Sequence, residues 1–98
     1  MPTTATLTWN PNTESDLAGY NVYREINTGG FQKLNTTLIP KGTQTYVDTP
    51  LPTIDGDLIY NVTAVDTSNN ESLHSANVDK QVNMVPPAAP SGLVVVLS

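Results

Sequence analysis

The chain has 98 residues, of which 38% are hydrophobic and only 13% charged, with a formal net charge of −5 and no cysteine. That length supports one core, and the Thr-, Asn- and Ser-rich remainder, with eight Pro and six Gly, disfavours a helical bundle or coiled coil. The acidic balance argues against a phosphate-binding nucleic-acid surface and an anionic membrane, and the lack of Cys excludes a disulfide scaffold, a thiolate metal site and a Cys nucleophile.

The apolar pattern has period two along most of the chain. Ala5, Leu7 and Trp9 alternate with Thr6, Thr8 and Asn10, which predicts a half-buried strand stopped by Pro11. Leu17–Glu25 reads as a second strand with Tyr20 and Val22 on one face, and Asn27-Thr28-Gly29-Gly30 as a hairpin turn. Phe31–Ile39 reads as a third strand contributing Phe31 and Leu34 to the core, broken by Pro40-Lys41-Gly42. Thr43–Asp48 is a short fourth strand, and 50–56 a loop. Leu58–Asp66 carries the strongest strand signal, with Leu58, Tyr60, Val62 and Ala64 in phase. Thr67-Ser68-Asn69-Asn70 is a tight turn. Ala76–Val85 reads as a sixth strand, Pro86–Pro90 as an extended linker, and Leu93–Leu97 as a seventh strand, apolar on both faces. Strands this short, with turn signals every 8–12 residues or so, indicate an antiparallel β-sandwich. No stretch approaches the ~20 apolar residues of a membrane helix, so no membrane insertion is expected, and Met1-Pro2-Thr3-Thr4 has no character of a secretion signal.

Three segments carry a family resemblance: Leu7-Thr8-Trp9-Asn10-Pro11, Asp16–Arg24, and Tyr60–Asp66 followed by Ser68–Ser72. Together they resemble a fibronectin type III module of the kind found in bacterial surface and secreted proteins. The resemblance implies an all-β, seven-strand, immunoglobulin-like sandwich. It makes the first segment strand B with a buried Trp9, the second strand C, and the third strand F with Tyr60 at the tyrosine-corner position. It also implies an extracellular or cell-surface setting. The adhesive Arg-Gly-Asp of some members is absent, since Gly56-Asp57 follows Asp55.

One departure from the family pattern stands out. The chain opens almost directly into strand B, and the segment resembling strand A, Pro87-Ala88-Ala89-Pro90-Ser91-Gly92-Leu93-Val94-Val95-Val96-Leu97, lies at the other end. The order is B-C-C′-E-F-G-A, with residues 1–85 as the sandwich body and 86–98 as a proline-rich linker and donated strand. Left free, Leu93–Leu97 is an aggregation hazard. Folding back requires crossing a strand length of roughly 25 Å and a sheet spacing of about 10 Å, while the linker 86–92 spans at most about 23–25 Å. Docking into the next molecule needs no such span.

The sequence therefore points to a non-enzymatic structural or interaction module that forms a homo-oligomer or polymer through Leu93, Val94, Val95, Val96 and Leu97. The alternatives are a passive spacer or accessory module of a larger surface or carbohydrate-active protein, and a target-binding module using its loops. Trp9 and Tyr60 fall in phase with the core, whereas Tyr23 faces outward and is the candidate for another surface contact. His74, the only histidine, has no nucleophile elbow or oxyanion loop to work with. The Asp55/Asp57 and Asp66–Glu71 loops are oxygen-rich but lack calcium-loop spacing and suit turns. No cofactor or metal is expected.

Overall fold

Outward threonines alternating with Ala5 and Leu7 form β1 (Ala5–Thr8) in a computed structural model that describes residues 3–98. β2 (Leu17–Ile26), β3 (Gln32–Lys33), β4 (Ile39–Pro40), β5 (Thr45–Asp48), β6 (Asp55–Asp66) and β7 (Val78–Asn83) follow, with no helix among the described residues. The fold is all-β, and every strand pairing is antiparallel.

The strands form two sheets. β1 pairs with β5, from Ala5 opposite Asp48 to Thr8 opposite Thr45. In the second sheet β2 and β6 form the long central ladder, from Leu17 opposite Asp66 to Ile26 opposite Leu58. β7 flanks β6, while β3 and β4 pair with different stretches of β2. Side chains of both sheets meet in one core. Leu17, Tyr20, Val22 and Ile39 are buried, and Leu7, Trp9, Leu34, Tyr46, Val62 and Ala64 pack against them. The Trp9 ring meets Tyr20 edge to face, centroids 5.3 Å apart, a geometry favoured by the ring quadrupoles.

The region 31–39 is not one strand. Asn35 is buried, and its Oδ1 accepts the Val22 N–H at 2.8 Å while its Nδ2 donates to Asn21 Oδ1 and to the Thr37 carbonyl. A side chain thus takes the place of a backbone ladder partner, and regular pairing survives only at β3 and β4. Phe31 is half-buried beside His74 and lies outside the core cluster. β4 crosses β2 so closely at Gly19 that an added Cβ would overlap the Ile39 carbonyl oxygen.

β6 begins at Asp55, three residues before its predicted start, and is covered on both faces. Leu58 and Tyr60 are buried as expected, but so are Asn61, Thr63 and Val65, while Val62 and Ala64 are half-exposed. The stretch before β7 explains the second face. Ser72 and Ser75 give backbone N–H bonds to Ala64 and Val62 and accept their N–H groups on side-chain oxygens. Asn61 is satisfied by Asn77 and His74, and Thr63 by Glu71. Regular pairing resumes at Val78, later than predicted.

The terminal segment also differs from expectation. Met84 is buried, its N–H bonded to the Ile54 carbonyl, and the Val85 N–H donates to Asp55. Beyond them, residues 86–98 are exposed and carry no strand, and the long axis of the molecule reaches 81 Å. Leu93, Val95 and Leu97 do not close the core of their own chain, because a strand exists only where a ladder partner is within reach.

Candidate functional site: an open groove and an exposed apolar segment

Among the described residues β1 has one neighbour, β5, so its other edge is unpaired. The Trp9 N–H donates to Gln44 and the Thr3 carbonyl accepts from Leu51, so the odd-numbered residues of this stretch turn their backbone groups towards β5. Strand alternation then turns the N–H and C=O of Thr4, Thr6 and Thr8 to the unpaired edge. Beside that edge runs a groove of about 790 Å³ between β1 on one side and β6 and β7 on the other. Leu7, Trp9, Leu58, Tyr60, Val62 and Val82 give it an apolar lining. Trp9 Nε1 is the one buried side-chain polar atom left without a hydrogen-bond partner among the described residues.

The five residues Leu93, Val94, Val95, Val96 and Leu97 are 87, 77, 74, 83 and 91% exposed. An uninterrupted apolar run so exposed is unusual for a soluble surface. Gly92 precedes it with φ +75°, a conformation that side-chain-bearing residues rarely adopt. The structure thus holds an uncovered apolar groove with an unpaired edge, and an uncovered apolar segment of matching type, with no contact between them in the single chain.

A polar clamp holds the two sheets together behind the groove. Asp48, at the end of β5, accepts three side-chain hydrogen bonds from the facing sheet. Arg24 Nη1 lies 3.1 and 2.9 Å from its two oxygens, and the Tyr60 hydroxyl donates at 2.7 Å. Asp48 is 6% exposed, so the pair sits where solvent screens little. Burial, reinforced by the hydrogen bond to Asp48 and its charge, pushes the Tyr60 phenol well above its ordinary value. The Tyr60 hydroxyl therefore reaches across to a side chain of the other sheet, whereas a tyrosine corner bonds a nearby backbone group.

Tyr23 is less available than its outward phase suggests. Its hydroxyl donates to Glu71 Oε2 at 2.5 Å, and its ring lies 4.5 Å from His74. Thr63 and Asn21 donate to the same carboxylate oxygen. These hydrogen bonds, from Thr63 and then Tyr23, hold the Glu71 carboxyl below its ordinary range. Asp66 uses its carboxylate on the Ser68 and Asn70 N–H groups, which closes the turn at Asn69 (φ 67°). Among the described residues no cluster of three or more His, Asp or Glu side chains is arranged to hold a metal ion.

The residue pattern marks Leu93–Leu97 as strand-forming, but the segment carries no strand in the single chain; the pattern places Trp9 against the core and gives no sign of the contacts of Asp48, Arg24 and Glu71. Arg24 lies within β2 and Asp48 ends β5, and period two says nothing about partners across the sheets. Glu71 lies in a turn-like stretch whose path over β6 is set by serine hydroxyls. No protein-family model matches the chain, and no curated protein matches it.

Proposed function

We propose that this chain is a non-catalytic structural module of the fibronectin type III kind that assembles head to tail. Each copy lays Leu93–Leu97 into the groove of the next. The observation that carries this reading is the unpaired β1 edge and its apolar groove, present in the same chain as an exposed apolar strand-former. The sheet arrangement supports the family assignment. The pairing of β1 with β5, and of β3 and β4 with β2, β6 and β7, agrees with the pairing the resemblance implies for strands B and E and for C′, C, F and G.

The mechanism is β-augmentation. Backbone groups of Thr4, Thr6 and Thr8 bond the donated strand, while Leu93, Val95 and Leu97 enter the groove. Burying these three side chains contributes roughly 5–9 kcal/mol gross, at about 1.5–3 each. Association entropy takes back about 4–15 kcal/mol, so the edge hydrogen bonds and the covering of Trp9 are needed to tip the balance. Because donor and acceptor surfaces differ, the contact propagates into a filament or closes a ring. The extracellular or surface setting follows from the resemblance.

Trp9 is the single tryptophan and lines the groove, so its fluorescence reports occupancy. Titrating a synthetic peptide of residues 86–98 into the dilute chain gives a saturable blue shift. At higher protein concentration the same peptide lowers the assembled mass by competing for grooves. A flat fluorescence titration and an unchanged mass overturn the proposal.

A further inference from the structure

The structure also constrains how the donated strand sits, an inference that rests on the head-to-tail reading. We infer that Leu93–Leu97 runs antiparallel to β1 of the neighbouring copy, with Leu93 opposite Trp9, Val95 opposite Leu7 and Leu97 opposite Ala5. The partner is thus a second copy of this chain, engaged in one register among several.

Two constraints select it. The first is parity. The unpaired edge exposes the backbone groups of Thr4, Thr6 and Thr8, whose side chains point to solvent, as the exposed Thr6 and Thr8 do. In an antiparallel ladder directly opposed residues point to the same face. Val94 and Val96, opposite Thr8 and Thr6, then face outward, and Leu93, Val95 and Leu97 face the groove. A slip of one residue reverses this, turning three groove side chains into two and leaving both leucines in water.

The second constraint is length. The inward acceptor positions Ala5, Leu7 and Trp9 span five residues, as does Leu93–Leu97. With Leu93 opposite Trp9, the breakers coincide just past the ladder's end: Gly92 meets Asn10, and Ser91 meets Pro11, which has no N–H to offer. At the other end Ser98 falls opposite Thr4. A shift of two residues one way places Ser91 opposite Trp9 and leaves the indole side of the groove uncovered. A shift of two the other way places Leu93 opposite Pro11 and Leu97 opposite Leu7, so no residue of the apolar run faces Ala5. The stated register alone covers the inward row from end to end.

Because the chain has no cysteine, disulfide trapping reads the register directly. Directly opposed residues that exchange hydrogen bonds have Cα atoms about 5.5 Å apart, within disulfide reach. The full chain carrying T6C and V96C gives a ladder of covalent multimers on mild oxidation, at least about tenfold faster than the chain carrying T6C and V94C. Faster trapping of the T6C/V94C pair overturns the register in favour of the two-residue shift. A cross-linked monomer overturns the second-copy partner in favour of self-docking. Light scattering of both variants under reducing conditions separates the two levels. Assembly without 6–96 trapping refutes the register alone, and absence of assembly refutes the head-to-tail reading beneath it.

Discussion

Replacing Val95 by Thr keeps the β-branched shape and strand preference and changes only polarity. In the single chain Val95 is 74% exposed, so the substitution leaves the monomer's stability unchanged. In the assembly Val95 enters the apolar groove beside Leu7 and Trp9, where the new hydroxyl has no partner. Burying an unpaired hydroxyl costs about 1–3 kcal/mol in protein mutational data, and each 1.4 kcal/mol is a tenfold change in equilibrium constant. V95T therefore raises the concentration for half-assembly by about fivefold to 150-fold. V94T, whose side chain faces solvent beside Thr8, shifts it by less than about threefold on the same reasoning. The assay is sedimentation velocity over a wide concentration range for wild type and both variants. Equal shifts, or a larger shift for V94T, refute the inward placement of Val95, and no shift in either refutes docking of the segment.

Other expectations follow from the body of the fold. Asp48→Ala strands the Arg24 charge and the Tyr60 hydroxyl between the sheets and lowers unfolding free energy by about 3–5 kcal/mol; urea denaturation checks this, and an unchanged midpoint contradicts the clamp. Gly19→Ala drives a Cβ into the Ile39 carbonyl and costs roughly 1–3 kcal/mol, seen as a lowered thermal midpoint with the β2–β4 crossing disturbed. Glu71 has its carboxyl held below the ordinary 4.5, so the native state binds fewer protons there than the unfolded chain. The stability this confers is present above pH 4.5 and is lost as the pH falls through the lower native value. Glu71→Gln flattens that acid limb in a pH series of denaturation curves; an identical slope contradicts the role assigned to the Thr63, Tyr23 and Asn21 hydrogen bonds.

Legibility of the fold followed the reach of each interaction. β1, β2 and β6 announced themselves because alternation is a local consequence of one face meeting a core. The break at 34–38 did not, because it depends on Asn35 intercepting the Val22 N–H, a contact between segments thirteen residues apart. The burial of Asn61 and Thr63 was hidden for the same reason: His74, Asn77 and Glu71 cover them from the far side of a turn. The phase of Val62 and Ala64 predicts the core, and both pack against it; the partial exposure of Val62 traces to the groove it lines, which the chain does not fill by itself. Leu93–Leu97 was legible as a strand-former by composition, while its state in the single chain depends on whether a partner edge lies within reach.

The central claim is that this exposed segment docks on a second copy. Size-exclusion chromatography with light scattering over a wide concentration range, run beside the chain truncated after Val85, tests it most directly. The account predicts high-mass species for the full chain that grow with concentration and vanish on truncation. A full chain that stays a 10.5 kDa monomer at every concentration contradicts it.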